Sequence, residues 1–314
     1  MPPSDPRIVS LLPSATEIVC ALGLENSLVG VTHECDFPEG VVSKPRVTSS
    51  IIESSSMTPA EIDAAVRDTL EQEATIYHLD GPMLEELRPD LIFTQDLCDV
   101  CAVGPQEVQS VIASLSFAPQ VVSLEPQTLA QVLDSIRTVG ALTHREQEAA
   151  VLRDELQTRI QRVQHAVAGM TPVRVLSMEW IDPVFVGGHW VPEMIKVAGG
   201  RDVLGTAGQP SVVARWEDVA ESMPEVVVAM LCGFDLHRSA QEMVSYVFSS
   251  PWNALPAVQN GQVWVTDGSA YFSRPGPRLV DGIEILASIL HPDRFHVDRS
   301  NGYARLSTAA EVVA

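Results

Sequence analysis

Short apolar segments alternate with longer segments of helical periodicity along most of the chain. The strand-like segments are residues 7–12, 28–32, 90–94, 120–124, 173–178, 226–231 and 263–265. The helical segments are residues 14–22, 58–72, 83–87, 107–115, 129–142, 145–167, 192–197, 216–222, 241–249 and 278–290. Ser14 and Glu17 have the spacing of a capping box, so we expect them to begin the first helix. Such alternation is typical of βαβ units and predicts an α/β fold with parallel sheets.

One helical segment, residues 145–167, is long and carries charged residues on one face. It lacks the Gly, Ser and Pro content of a flexible linker, so we expect a rigid connection. The predicted organisation is an N-terminal α/β lobe at 1–143, a connecting helix at 144–170 and a C-terminal α/β lobe at 171–314. Both lobes are expected to be Rossmann-like with parallel sheets. A ligand cleft is expected between the lobes, at the carboxyl ends of strands.

Composition and charge narrow the possible functions. Hydrophobic residues make up 46% of the 314 residues, which is enough for sizeable cores. The formal charge of −21 repels phosphate backbones, so nucleic-acid binding is not expected. No nucleotide-binding glycine loop and no G-x-S-x-G nucleophile motif is present.

The start of the chain does not resemble a secretory signal. Asp5 precedes Arg7, and Pro13 interrupts a very short apolar run. No stretch has the length needed to span a bilayer, so membrane insertion is not expected. From these features we expect a cytoplasmic protein, in which the cysteines would be thiols, metal ligands or redox groups.

Five stretches of the sequence together resemble a known family. They are RIVSLLPSATEIVCALGLENSLVGVTHECDFP, LRPDLIFTQ, PVFVGGHWVPEMIKVAGGRDVL, WEDVAESMPEVVVA and NGQVWVTDGSAYFSRPGPRLVDGIEIL. In this order they are similar to class III substrate-binding proteins of ABC importers, which bind vitamin B12 and iron siderophores. The similarity covers about residues 7–291 and extends to a cobalamin-binding-like subgroup without export signals.

The resemblance implies a ligand held between two lobes, no catalysis and a possible ABC permease partner. Relatives dock permease arginines with one surface glutamate on each lobe. Glu217 matches that position in the second lobe, whereas Pro82 occupies it in the first, with Glu85 and Glu86 nearby. A segment at about residues 53–80 also distinguishes this chain from the plain periplasmic form.

A His-x-Cys pair and a Cys-x-x-Cys pair follow two predicted strands. His33 and Cys35 follow the second strand, and Cys98 and Cys101 follow the strand at 90–94. Thiolates and imidazole at these spacings suit a tetrahedral metal such as zinc, so one converging pocket is a hypothesis. A redox pair, inert thiols and direct contact with an organic ligand are the alternatives. His33 is the best candidate for an axial ligand to the cobalt of a corrin.

Aromatic and polar residues follow other strand ends. Flat rings suit a large macrocycle, although packing in the core is the ordinary role of aromatic residues. The polar residues either bond the amide groups of a corrin or are simply solvated. The candidate ligand-binding residues are His33, Glu34, Asp36, Gln95, Asp99, Glu179, Trp180, His189, Trp190, Phe234, Tyr271 and Arg274.

Two functions from different classes remain open at the level of the sequence. One is a binding protein for a corrinoid, such as cobalamin, or for a related metal chelate. The other is a metal- or thiol-dependent enzyme, or a zinc-binding protein, that uses His33, Cys35, Cys98 and Cys101.

Overall fold

A computed structural model describes residues 5–73, 75–96, 103–246, 248, 250–298, 302–306 and 312–313. The described residues form two compact units. The first unit draws on Met1–Met57, Glu61–Pro126 and Val132–Asp154, and the second draws on Thr58–Ala60, Gln127–Gln131 and Glu155–Ala314. The predicted α/β class is confirmed, and each unit contains its own main sheet.

The first unit is built on a parallel sheet of four strands in the order β2-β1-β5-β6. The strands of this part of the chain are β1 (Ile8–Ser10), β2 (Leu28–Val31), β3 (Thr48–Ser50), β4 (Tyr77–Leu79), β5 (Leu91–Thr94) and β6 (Gln120–Ser123). The helices are α1 (Pro13–Ala21), α2 (Pro59–Glu73), α3 (Gly81–Leu87), α4 (Pro105–Ser114), α5 (Leu129–Leu142) and α6 (Glu146–Ala166). The central strands β1 and β5 are buried along their whole length, which explains their near-continuous apolar sequence.

Two short strands lie outside the parallel sheet. Strands β3 and β4 pair antiparallel with Thr48 opposite Leu79 and Ser50 opposite Tyr77. They flank helix α2, so the segment at about residues 53–80 is held at both ends by this pair. The sequence pattern did not predict either strand, because each contains three residues and their partners lie far apart along the chain.

The second unit contains a mixed sheet in the order β10-β8-β7-β11-β12-β13-β14, with β9 also paired to β7. Its strands are β7 (Val173–Trp180), β8 (Phe185–Val186), β9 (Gly200–Asp202), β10 (Val212–Val213), β11 (Val226–Ala229), β12 (Val263–Thr266), β13 (Tyr303–Leu306) and β14 (Val312–Val313). Its helices are α7 (Val191–Val197), α8 (Trp216–Ser222), α9 (Leu236–Ser245), α10 (Pro256–Gln259), α11 (Gly268–Tyr271) and α12 (Leu279–Leu290).

The sheet of this unit has a parallel core, as expected, and adds antiparallel strands that the sequence pattern did not predict. Strands β7, β9, β11 and β12 pair parallel, but β8, β10, β13 and β14 pair antiparallel. The long strand β7 carries two neighbours on one edge, β9 along its first residues and β8 along its last. Antiparallel strands need only short connections, so they extend a parallel core without a crossover helix.

Local sequence explains both ends of helix α1, although not through the predicted capping box. Helix α1 begins at Pro13, where the missing N–H of proline costs nothing, and the cap residue Leu12 makes no side-chain bond. The capping box expected from Ser14 and Glu17 is therefore absent, and both side chains are buried. Gly23, at a φ of 77°, follows the helix in the left-handed conformation that glycine tolerates.

Among the described residues, none of the helices combines the length and the apolar content of a membrane span.

Candidate functional site

The candidate residues of the first unit follow the carboxyl ends of β2 and β5. These strands are the two neighbours of β1, so their ends lie at one edge of the sheet. Glu34 and Asp36 are exposed at this edge, whereas Gln95 is only 5% exposed. Arg46 steadies the loop after β2, because its Nη1 donates to the carbonyl oxygens of Thr32 and Cys35.

His33 is the most constrained of these residues. Its Nδ1 lies 2.7 Å from Oγ1 of Thr48, and its backbone N–H donates to the same oxygen at 3.0 Å. Its ring centroid lies 5.3 Å from that of Tyr77. Nε2 lies 3.3 Å from Oε1 of Glu34, and the side chain is 23% exposed. The ring is therefore oriented by Thr48 and Tyr77, and its Nε2 atom is buried beside Glu34 although part of the side chain is exposed.

The thiol of Cys35 points toward helix α1. It is buried, and its Sγ lies 3.0 Å from Oγ1 of Thr16 on α1. Cys98, Asp99 and Cys101 lie outside the described residues, so the predicted convergence of the four metal-ligand candidates stays a prediction. In the part of the chain that is described, no group of three or more His, Cys, Asp or Glu side chains could hold a metal ion. The zinc alternative thus has no support from these residues.

An aromatic and cationic cluster lies at the carboxyl ends of β7 and β11. The rings of Trp180 and Phe234 are 5.1 Å apart and tilted by 46°. Phe234 also contacts Arg238, whose guanidinium carbon lies over the ring at 4.6 Å from its centroid. Trp180 is half-buried, and its indole N–H donates to the carbonyl oxygen of Pro59 at 3.1 Å. Trp180 is the more exposed ring of this cluster, because Phe234 is only 8% exposed, and Arg238 forms an ion pair with Glu242 at 2.8 Å.

His189 and Trp190 occupy the turn before α7. Trp190 is 5% exposed and donates from Nε1 to the carbonyl oxygen of Phe272 at 2.8 Å. This environment corresponds to the packing role that the sequence left open for Trp190. His189 stacks on Trp190, has a left-handed φ of 47°, and has its pKa lowered by burial.

Glu179 is partly exposed as a residue, and its carboxyl group lies against two loops of the second unit. Its oxygens accept from the backbone N–H of Gly188 and from the hydroxyl of Ser211. Burial raises the pKa of Glu179 from 4.5 to about 7, with a smaller contribution from Asp202. Asp202 accepts from the backbone N–H groups of Leu204 and Gly205, and burial also raises its pKa. Glu179 is therefore an internal hydrogen-bond acceptor.

Tyr271 and Arg274 follow β12 and lie near another carboxylate. Asp267 caps α11 by accepting from the backbone N–H of Ala270 at 2.7 Å. Burial raises the pKa of Asp267, and the charges of Arg278 and Arg274 oppose that rise. Arg278 also lies 6.0 Å from the centroid of the Tyr271 ring.

Sequence reasoning missed several members of these clusters. Arg238, Asp267 and Arg278 were not candidates, and neither was Asp202. The signal that points to Arg238 is its place one turn after Phe234 at the start of a helix. Arg278 follows Arg274 by four residues in the non-helical segment SRPGPR, just before helix α12.

The expected docking positions lie on helices α3 and α8, which are alike in length, in burial pattern and in how they end. Helices α3 and α8 each contain seven residues and end at a left-handed residue, Arg88 or Met223, followed by proline. Leu84 and Val219, at the fourth position of each helix, are the buried ones. Pro82 and Glu217 are therefore equivalent second positions, and both are exposed.

Glu85 and Glu86 differ in their surroundings. The carboxylate of Glu85 accepts from the backbone N–H and the hydroxyl of Ser116, which lowers its pKa. Glu86 is exposed on α3. Of the two glutamates near Pro82, Glu85 is thus hydrogen-bonded to Ser116 and Glu86 is the more exposed.

Comparison with known proteins identifies the class of the chain. Residues 8–270 match the model of the periplasmic binding protein family, so the chain belongs to that family. The vitamin B12-binding protein of Vibrio cholerae is 24% identical over 287 residues, which cover 90% of this chain and 88% of the relative. An uncharacterised ABC transporter substrate-binding lipoprotein of Bacillus subtilis is 22% identical and is covered to 81%.

A solved structure supports the fold independently. A periplasmic heme binding protein from Pseudomonas aeruginosa superposes with a TM-score of 0.71 at 19% identity, covering 95% of this chain and 97% of that one. The resemblance to class III substrate-binding proteins is confirmed.

The cytoplasmic location expected from the sequence is wrong. The family is that of periplasmic binding proteins, the Bacillus relative is a lipoprotein, and the Pseudomonas neighbour is periplasmic. These findings contradict a cytoplasmic location.

Proposed function

We propose that this chain is the substrate-binding component of an ABC importer and that its ligand is a corrinoid or a closely related metal chelate. The main support for this proposal is the match to the vitamin B12-binding protein of Vibrio cholerae over 90% of this chain. A match of that extent includes the strand ends of both units, where ligands of α/β folds bind.

The site residues suit a large, flat, metal-containing ligand. Trp180 provides rigid aromatic surface at low cost in conformational entropy, and the buried Phe234 ring packs against it. His33 provides an imidazole, which is a common ligand of cobalt and iron. Arg238 packs on the Phe234 ring and pairs with Glu242 at 2.8 Å, which holds this ring beside Trp180.

The partner is proposed to be the permease of the importer. Glu217, exposed in the first turn of α8, is the docking residue of the second unit. Pro82 cannot pair with an arginine, and we assign the docking role in the first unit to Glu86. Both glutamates lie on helices of the same design, which gives the partner two similar surfaces.

Binding of defined ligands tests the proposed function. Purified protein is titrated with cyanocobalamin, diaquacobinamide, hemin and a ferric siderophore, and intrinsic tryptophan fluorescence and visible absorption are followed. We expect one of the two corrinoids to quench the fluorescence and to bind at least ten times more tightly than the siderophore. Tighter binding of hemin or of the siderophore would contradict the corrinoid assignment, and binding of none of them would contradict the whole proposal.

A further inference from the structure

The His33 side chain is held by residues of the β3–β4 pair, outside the parallel sheet. Thr48 of β3 contacts both Nδ1 and the backbone N–H of His33. Tyr77 of β4 packs against the ring at a centroid distance of 5.3 Å. The pair that flanks the segment at about residues 53–80 is therefore also the structure that orients this imidazole.

The strand register places both contacts on one face. Thr48 lies opposite Leu79, and Tyr77 lies two residues before Leu79 on the same strand. Directly opposed residues point to the same side of an antiparallel pair, and so do residues two apart. Thr48 and Tyr77 are thus diagonal neighbours on the face that meets His33.

The hydrogen-bond inventory of Thr48 favours one tautomer of His33. A hydroxyl donates one hydrogen and accepts two. Thr48 Oγ1 accepts from the His33 backbone N–H and lies 2.8 Å from Oγ1 of Thr32. When Thr48 donates to Thr32, its remaining lone pair accepts from Nδ1–H of His33.

The other ring nitrogen is consistent with this assignment. Among the described residues, Nε2 of His33 makes no hydrogen bond of acceptable geometry, although it lies 3.3 Å from Oε1 of Glu34. An Nε2–H would have only this poorly aligned carboxylate oxygen as acceptor, whereas an Nδ1–H has Thr48 Oγ1 at 2.7 Å, so the proton is better placed on Nδ1. Nε2 then carries a lone pair on the side of the ring that faces Glu34.

We propose that Thr48 is a positioning residue that holds His33 in the Nδ1–H form, with Nε2 as an axial ligand to the metal of the bound chelate. This inference rests on the proposed function and narrows it to chelates with an exchangeable axial position. The arrangement is that of metal-binding histidines generally, whose second nitrogen is hydrogen-bonded to an orienting group.

The experiment uses one corrin in two axial states. Diaquacobinamide has exchangeable axial water, whereas dicyanocobinamide in excess cyanide has both positions blocked. Wild-type protein is expected to bind the diaqua form at least about tenfold more tightly, and its Co(II) form should show nitrogen splitting in electron paramagnetic resonance. Loss of an orienting partner of a metal ligand typically costs about 10–100-fold in affinity. Thr48→Val should therefore remove most of the preference.

Matched variants separate positioning from packing. Thr48→Ser keeps the hydroxyl and should bind within about threefold of wild type, and Ser49→Ala, at an exposed neighbour on β3, should behave as wild type. Long-range proton–nitrogen NMR of the His33 ring should show Nδ1–H in wild type and a changed tautomer ratio in Thr48→Val. His33→Ala should lose the nitrogen splitting and regain it with added imidazole, which tests the ligand without altering Thr48.

The outcomes distinguish this inference from the proposed function. If wild type binds both cobinamides equally and shows no nitrogen splitting, the axial role of His33 fails while corrinoid binding stands. If Thr48→Val folds and retains the full preference and tautomer, the role of Thr48 fails. If wild type binds neither form, both the inference and the corrinoid assignment fail.

Discussion

Two tryptophans of the second unit have opposite surroundings. Trp180 is half-buried against Phe234 at a strand end, whereas Trp190 is 5% exposed and bonded to the carbonyl of Phe272. The same residue type therefore serves a surface in one position and the core in the other. Replacing Trp180 should therefore affect ligand binding, whereas replacing Trp190 should affect the stability of the fold.

Trp180→Ala is expected to weaken corrinoid binding by about 1–3 kcal/mol, because a large aromatic contact with the ligand is removed. Trp190→Ala is expected instead to lower the free energy of unfolding by about 3–5 kcal/mol through the cavity it leaves. Fluorescence titration measures the first and urea unfolding the second. Unchanged ligand affinity in Trp180→Ala would exclude stacking of the ligand on this ring.

The buried carboxyl of Glu179 predicts a pH dependence of stability. Its pKa rises from 4.5 to about 7 on folding, so the folded state retains a proton that the unfolded state releases. Its contribution to stability is complete below about pH 4.5, is lost as the pH rises to about 7, and is constant above that. Over this range the loss amounts to about 3 kcal/mol.

Glu179→Gln should remove this dependence, since the amide is neutral and preserves the hydrogen bonds to Gly188 and Ser211. Urea unfolding at pH 4.5 and pH 8 should show the variant gaining up to about 3 kcal/mol relative to wild type at the higher pH. The exposed Glu217→Gln serves as the control and should give no such gain. A variant-to-wild-type difference that is the same at both pH values would refute the assignment.

At the scale of elements, helices α3 and α8 repeat one design in the two units. Each is short, buries its fourth residue, and ends at a left-handed residue before proline. The prolines Pro89 and Pro224 stop each helix and direct the chain into a central strand. The exposed positions of these helices are consequently free to differ in sequence, as Pro82 and Glu217 do.

Charge reversal on these helices is expected to impair transport without affecting the ligand. Glu217→Arg and Glu86→Arg should each reduce uptake of radiolabelled corrinoid in cells that depend on this chain, because they repel the permease arginines. The ligand affinity of the purified variants should match that of wild type. Asp68→Arg, an exposed site on α2, is the control. Undiminished uptake in both glutamate variants would argue against docking through these helices.

Helices α6 and α12 are joined by ion pairs to a buried glutamate. Glu284 is 2% exposed and accepts from Arg159 at 2.7 Å and from Arg162 at 2.9 Å. Arg159 also pairs with Asp281. These bonds balance a charge that would otherwise be costly to bury.

Arg159→Met is expected to lower the free energy of unfolding by about 3 kcal/mol, because the buried Glu284 then loses the less exposed of its two arginine partners. Arg162→Met should cost less than about 1 kcal/mol, since the Arg162 side chain is 63% exposed. Urea unfolding of both variants measures the difference. Equal stability of the two variants would show that Arg159 has no special role.

At the scale of the whole molecule, ligand binding should stabilise the fold. A ligand at one hundred times its Kd adds about 2.7 kcal/mol to the free energy of unfolding when it binds only the folded state. Diaquacobinamide is therefore expected to raise the Tm of wild type in proportion to the logarithm of its concentration. His33→Ala should show a smaller rise at the same concentration, and an equal rise would contradict metal ligation by this residue.

The periodicity of the chain was sufficient to predict its class and most of its helices. Apolar runs such as 90–94 and 226–231 become central strands because a strand buried on both faces must be apolar throughout. Charged periodicity at 145–167 likewise predicted α6, Glu146–Ala166, since helix formation depends on local spacing. The order of the family motifs, carried by the same residues, indicated the class of protein that the comparisons confirm.

Contacts between distant residues were decided by the tertiary structure alone. The β3–β4 pair joins Thr48 to Leu79, and the bond between Thr48 and His33 follows from it. Trp190 is buried in the core whereas Trp180 is partly exposed, and the Cys35 thiol contacts Thr16. Burial also raises the pKa of Glu179. None of these has a local signature, because burial and pairing depend on which segments meet in the fold. The sequence by itself therefore determined the elements and the family, and packing determined which side chains are available for a ligand.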